Sequence, residues 1–241
     1  MIVVRTPLRI SFFGGGTDFP GWFLENNGQV FSTTINKYCY STCRFLPPFF
    51  DHKYRLAYSK LEHTQAIDDI QHPLIRECFR DSGIQEGLEL HYDSDLPARS
   101  GLGSSSAFAA GLIKSLCLIK NKDISQKKLM EAAIHIERDV LDESGGYQDQ
   151  VSTVYGGFNK IKFHTSGQIE VQPSSVSQSR LQELQDHLLL FFTRQVRISG
   201  EISKDQKQNT QKNASQLKEM YDLVDEAASV LMGQDSICNF G

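Results

Sequence analysis

The sequence predicts an α+β fold in two parts, and three observations carry that reading. Strand-like stretches prevail up to Asp93. Helical apolar periodicity then governs most of the chain between Ser104 and Leu141, and a strand pattern returns before Phe163. A turn at Thr165-Ser166-Gly167 and a polar stretch from Pro173 to Ser179 separate an N-terminal domain, residues 1–165, from a C-terminal one, residues 166–241.

Each element has its own warrant. In Ile2 to Phe13, Leu8, Ile10 and Phe12 alternate with Arg9, Ser11 and Phe13, which is the period of a strand. Val30 to Leu46, Tyr54 to Tyr58 and Leu88 to Asp93 follow as strands, with a helix at Pro73 to Asp81. Ser104 to Lys120 is apolar enough to be a buried helix. Ser125 to Leu141 is read as one helix with Ser125 as N-cap; Leu129, Ala133, Ile136 and Val140 form its apolar stripe. Met130, Ile134, Glu137 and Leu141 form the adjoining row, so Glu137 interrupts apolar neighbours. Val154 to Phe163 returns to a strand, broken by Gly156-Gly157. Leu188 to Thr193 reads as an apolar strand. Glu201 to Asn213 and Ala214 to Met232 read as helices, the latter with Leu217, Tyr221, Val224, Ala228 and Leu231 on one side.

Composition narrows the function classes. With 39% hydrophobic and 22% charged residues, a chain of 241 residues can bury a sizeable core. A formal charge of -4 gives no sign of a nucleic-acid or acidic-membrane partner. No apolar run approaches a membrane span, and Met1 to Arg5 begins a strand without signal-peptide layout. The five cysteines are scattered and lack zinc-ligand spacing, so free thiols of a cytoplasmic protein are expected.

Three segments carry chemistry. Pro97 to Ala107 is a glycine turn between a strand and a helix start. Amides at a helix start have no intrahelical partner and, with the helix dipole, favour an anion. Gly101 and Gly103 let a phosphate approach the backbone, Leu102 lies between them, and Ser104, Ser105 and Ser106 add hydroxyls. Pro7 to Asp18 places Arg9 on a strand ahead of Gly14-Gly15-Gly16-Thr17-Asp18, a set suited to anionic or hydroxyl-rich ligands. Glu137 to Gln150 combines a carboxylate on an apolar row, which a bound cation would compensate, with a turn that can present Asp149. Taken singly, a serine-capped turn, a solvated Arg9 and a surface Glu137 would explain these segments as well.

In order along the chain, the three segments resemble the motifs of the GHMP kinases. Pro97 to Ala107 is similar to the Pro-x-x-x-Gly-Leu-Gly-Ser-Ser nucleotide motif, and Gly145 to Gln150 to the Gly-x-x-Asp-Gln of the sugar kinases. Pro7 to Asp18, with glycines where galactokinase has an acid and a histidine, looks most like the heptose 7-phosphate kinases; L-fucokinase-like domains are near relatives. The resemblance implies a two-domain fold with mixed or antiparallel sheets and direct phosphoryl transfer from ATP to a hydroxyl of a sugar or sugar phosphate. For a heptose kinase the acceptor would be the anomeric hydroxyl of D-glycero-D-manno-heptose 7-phosphate, giving the 1,7-bisphosphate. It implies that the amides of Gly101 to Ser106 cradle the triphosphate, and that Ser105 and Glu137 hold Mg2+. Asp149 would accept or orient the acceptor proton, with Arg9 keeping it ionised and stabilising phosphoryl charge. Gly16, Thr17 and Asp18 would bind the sugar, and Arg99, Arg44 and Lys37 are candidates for its phosphate.

The family's third, glycine-rich motif does not follow Gly157. The expectation is therefore an incomplete C-terminal domain, with the apolar side of the Ala214 to Met232 helix uncovered and favouring self-association. A nucleotide- or sugar-binding remnant is the alternative to a working kinase. A P-loop enzyme, a protein kinase and an α/β-type serine hydrolase are excluded, since none of their signature motifs occurs.

Overall fold

The computed structural model describes residues 1–98, 100–191, 209–210 and 212–241. It is an α+β fold of strands β1 (Ile2–Phe13), β2 (Gly28–Phe45), β3 (Tyr54–Ala57), β4 (Leu61–Thr64), β5 (Leu88–Ser94), β6 (Phe158–Phe163) and β7 (Ile169–Pro173). The helices are α1 (Pro20–Asn26), α2 (Pro73–Ser82), α3 (Ser104–Ile119), α4 (Gln126–Ile134), α5 (Gln148–Tyr155), α6 (Gln178–Asp186) and α7 (Ala214–Met232). No helix among the described residues is long and apolar enough to cross a membrane.

The expected boundary after residue 165 does not separate the compact units. One unit comprises residues 1–8, 35–143 and 149–154, and the other 9–34, 144–148 and 155–241. The reason is strand length: β1 and β2 are long enough to contribute residues to both units.

In the first unit the strand order is β4-β3-β5-β2. β3 runs parallel to β5, with Tyr54 beside Leu88, and β5 runs antiparallel to β2, with Phe45 opposite Leu88 and Cys39 opposite Ser94. Cys43, Leu56, Leu88 and Leu90 on one face meet Leu74, Ile75 and Phe79 of α2 and Phe108 and Leu112 of α3. Successive strand residues point to opposite faces, so Glu89 lies on the other side of this sheet, with Arg44 and His91. There Glu89 is 5% exposed. It accepts hydrogen bonds from Arg44 Nε at 2.5 Å and pairs with Arg55 and His91. Burial pushes its carboxyl up, but the His91 and Arg44 hydrogen bonds and the arginine charges outweigh this and hold it below the ordinary range.

The second unit pairs the first half of β2 with β6, Gly28 opposite Phe163, and β6 with β7. Its core joins Phe31 to Val224, Ala227, Ala228 and Leu231 of α7, Leu184 of α6, and Ile237 and Phe240. Phe12 stacks on Phe158 at 5.9 Å between ring centres, and Phe13 meets Phe240 edge-on at 5.2 Å. Arg180 closes the end of α7, donating to the carbonyls of Val230 and Leu231 at 2.9 and 3.3 Å. This corrects the expectation of an uncovered α7 face: Val224, Ala228 and Leu231 are buried by aromatic rings distant in sequence, while Leu217 and Tyr221 are half-buried.

Two further expectations change. Leu188 to Phe191 are exposed and form no strand, because no described strand pairs with them. Phe192, Thr193 and most of Glu201 to Asn213 lie outside the described residues. The helix expected over Ser125 to Leu141 is instead α4 followed by a π-helical turn, His135–Val140. Leu141 N–H donates to Ile136 O, five residues back, so the 3.6-residue wheel no longer holds. Val140 accordingly leaves the stripe and is 43% exposed, and Leu141 packs on the core in its place.

Two outcomes follow. Leu231→Ala should cost about 3 kcal/mol in chemical denaturation, as for other buried leucines, whereas Met232→Ala, at a position 51% exposed, should fall within about 0.5 kcal/mol of wild type. Glu89→Gln should cost about 1 kcal/mol at pH 7. Because the folded-state carboxyl is held low, that stabilisation exists above the unfolded pKa, about 4.3, and is lost as pH falls further. The two unfolding curves should therefore converge in acid; a difference that persists there would assign the effect to packing.

Candidate active site

β5 and α3 deliver the glycine turn. Gly101 and Gly103 take φ of +77° and +74°, a left-handed backbone that strains any side chain. Gly103 is the N-cap of α3 and offers no capping side chain. The first helical bond runs from Ala107 N–H to Gly103 O at 2.9 Å. The amides of Ser104, Ser105 and Ser106 precede it and so lack an intrahelical partner. Gly101 and Ser105 are exposed, Leu102 and Ser104 are half-buried, and Ser106 is buried.

The first unit also brings Glu137 to this helix start. Glu137 sits in the π-helical turn and is 1% exposed. Ser105 Oγ donates to its Oε1 at 3.0 Å, and Gln150 Nε2 donates to its Oε2 at 2.5 Å. Burial pushes the Glu137 carboxyl up, opposed by the Arg138 charge and by hydrogen bonds from Ser106 and Gln150. A carboxylate can accept about four hydrogen bonds, so acceptor capacity remains. Among the described residues no three His, Cys, Asp or Glu side chains cluster as an all-protein metal cage. Two hard oxygens, one anionic and nine-tenths buried, beside an anion-ready helix start fit magnesium, which takes one or two protein ligands and completes its shell with phosphate and water.

Gln150 was not singled out as a ligand-set residue in the sequence, although it stands next to Asp149. Its role depends on α5 beginning at Gln148, where the sequence reading expected an open turn. Asp149 is a half-buried residue in the first turn of α5, and its carbonyl accepts from Thr153 Oγ1 at 2.9 Å. Arg9, half-buried, is where β1 enters the second unit, and Asp149 belongs to the first. Of the candidate phosphate ligands, Arg44 is engaged by Glu89, Lys37 is exposed, and Arg99 lies outside the described residues.

The second unit organises the loop after β1 differently from the expectation. Thr17 and Asp18 are 0% exposed. Thr17 Oγ1 donates to Gly14 O and Gln29 O, both at 2.8 Å, and accepts from Gln29 N–H at 3.0 Å. Asp18 accepts from Gly16 N–H at 3.0 Å, Gln148 N–H at 3.0 Å and Gln148 Nε2 at 3.3 Å. These two residues, expected to bind sugar hydroxyls, brace the loop in this structure: both are fully buried, and backbone and amide donors of Gly16 and Gln148 take up the Asp18 carboxylate. Gly16 alone of the three is half-exposed. Gly146 is part of the same brace. A Cβ there would collide with both Asp18 carboxylate oxygens, so the first glycine of the Gly-x-x-Asp-Gln motif clears space for a side chain 128 positions earlier.

Comparison with known proteins agrees with this geometry. Residues 69–157, which include the glycine turn, Glu137 and Asp149, match the N-terminal domain of the GHMP kinases. The D-glycero-alpha-D-manno-heptose 7-phosphate kinase of Campylobacter jejuni is 29% identical over 215 residues, covering 86% of this chain and 63% of that protein. The bifunctional fucokinase/GDP-fucose pyrophosphorylase of Arabidopsis thaliana is 28% identical over 83% of this chain and 21% of its own length. The chain thus spans less than two thirds of either relative. Among solved structures, a D-glycero-D-manno-heptose 1-phosphate kinase from Bacteroides thetaiotaomicron superposes with a TM-score of 0.81 at 22% identity, over 96% of this chain and 73% of that one. A mevalonate kinase superposes with a TM-score of 0.68 at 15% identity, over 100% and 76%. Residues 69–157, with the glycine turn and the buried Glu137 beside it, thus match the N-terminal domain of the GHMP kinases, and the chain shares the fold of these solved structures.

Proposed function

We propose that the protein transfers the γ-phosphoryl group of ATP to a hydroxyl of a sugar or sugar phosphate, acting in the cytoplasm where both are at hand. The observation that carries the reading is Glu137, 1% exposed and bonded to Ser105 at the first turn of α3. A carboxylate buried next to a phosphate-binding helix start is costly unless a cation and its phosphates arrive there. The acceptor we favour is the anomeric hydroxyl of D-glycero-D-manno-heptose 7-phosphate, supported by the relative from Campylobacter jejuni that bears that name. L-fucose is the second reading, supported by the Arabidopsis fucokinase match.

In this mechanism the amides of Gly101 to Ser106 receive the triphosphate oxygens and fix their orientation. Ser105 Oγ and the Glu137 carboxylate hold Mg2+, which when bound neutralises phosphoryl charge. Gln150 fixes the Glu137 carboxylate through its Oε2. Asp149 accepts the proton of the attacking hydroxyl or orients that hydroxyl. Arg9 offers its charge to the phosphoryl oxygens in transit.

An ADP-release assay with the heptose 7-phosphate, L-fucose and no sugar, with the product position read by phosphorus NMR, tests the function. Sugar-dependent ADP formation is expected; ATP binding with no sugar-dependent turnover would overturn it. Two variants test the roles. Glu137→Gln should lower turnover by at least about 100-fold and abolish the tightening of ATP binding by magnesium in calorimetry. It should not lower the melting temperature, because a buried charge is removed. Asp149→Asn should lower turnover by at least about 100-fold while nucleotide affinity is retained; near-normal turnover would remove Asp149 from the mechanism.

A further inference from the structure

The second unit holds a cleft of about 280 Å3 beside the loop that follows β1. Gly16 and Phe19 line one side, and Asn213, Gln216, Leu217 and Met220 from the start of α7 line the other. The two sides touch: a Cβ on Gly16 would lie 3.2 Å from Leu217 Cδ2. The loop's own polar side chains are unavailable to this cleft, since Thr17 and Asp18 are sealed beneath it by their internal hydrogen bonds. Hydrogen bonding to anything in the cleft therefore falls to Thr210 and to the start of α7.

Two amides there are placed for it. Asn213 occupies the N-cap position of α7, where an asparagine side chain ordinarily accepts from the amides of the first turn, yet it makes no such bond. Gln216 accepts from Ser215 Oγ at 2.9 Å through its Oε1, which leaves Nε2 for a ligand. An amide presents both a donor and an acceptor, the match for a hydroxyl group. Phe19, Leu217 and Met220 supply the apolar surface on which a sugar's C–H face can lie. No charged side chain lines the cleft among the described residues, so its chemistry suits the uncharged part of an acceptor and not a phosphate. Its volume lies just below the range for drug-sized ligands and fits a small one.

We propose that this cleft receives the polyhydroxyl portion of the acceptor, with Asn213 and Gln216 reading its hydroxyl pattern and so setting specificity. The proposal rests on the sugar-kinase reading and goes beyond it by moving acceptor recognition from the glycine loop to α7. Both amides are on exposed residues, so their replacement leaves the core untouched.

The test compares wild type, Asn213→Ala/Gln216→Ala and Gln216→Trp, which fills the cleft from an exposed position. KM is measured separately for D-glycero-D-manno-heptose 7-phosphate, L-fucose and ATP, and sugar binding is followed by saturation-transfer NMR. Removing the two amides should raise the sugar KM about 10-fold or more and weaken the NMR signal, with kcat at saturating sugar and the ATP KM unchanged. Gln216→Trp should do the same, which guards against a folding defect in the double variant. If wild type phosphorylates a sugar and neither variant alters its sugar KM, or if only kcat falls, the cleft proposal is overturned and the kinase reading stands. If wild type binds ATP but neither binds nor phosphorylates any sugar, both fall together.

Discussion

Glu137 is the buried group on which the π-helical turn, α3 and α5 of the first unit converge. A carboxylate 1% exposed among apolar neighbours must find donors or forfeit its charge. It finds Ser105 on α3 and Gln150 on α5. The π-helical turn, α3 and α5 thus meet at one carboxylate, which bonds Ser105 at a helix start built on two left-handed glycines. The same burial that makes the group expensive in isolation makes it responsive to a cation, because attraction between charges grows as water is excluded.

Asp18 does the converse in the second unit. It too is fully buried, but backbone and amide donors from Gly16 and Gln148 satisfy it completely enough to make it a brace. Two acidic residues, both prominent in motifs, therefore end with different work. The difference lies in what surrounds them. Glu137 has two side-chain donors and lies beside the glycine-capped start of α3. Asp18 has a glycine loop folded over it and Gly146 pressed against it.

Much of the framework was legible along the chain. β1 and α7 begin and end where the alternation and the helical period place them, because each carries one apolar side with an unbroken period. The glycine turn was legible for the same local reason: left-handed backbone and a helix start leave marks on adjacent residues. The 3.6-residue period places Leu129, Ala133 and Ile136 on the buried stripe but misplaces Val140, since a π-helical turn adds a residue without any local marker. Leu188 to Phe191 show the opposite failure. Apolar composition suggested a strand, yet a strand needs a partner, and none of the described strands provides one.

The sequence by itself determined the α+β class, the glycine turn at Gly101 and Gly103, and the resemblance of its motifs to those of the GHMP kinases. These are local properties of period, glycine placement and residue order. Tertiary structure alone decided which motif residues face solvent and which are consumed in holding the site together. It buried Thr17 and Asp18, recruited Gln150 to Glu137, and covered α7 with Phe31 and Phe240. Each of these pairs residues many positions apart, and a hydrogen bond or a packed ring depends on distance in space, which residue spacing does not encode.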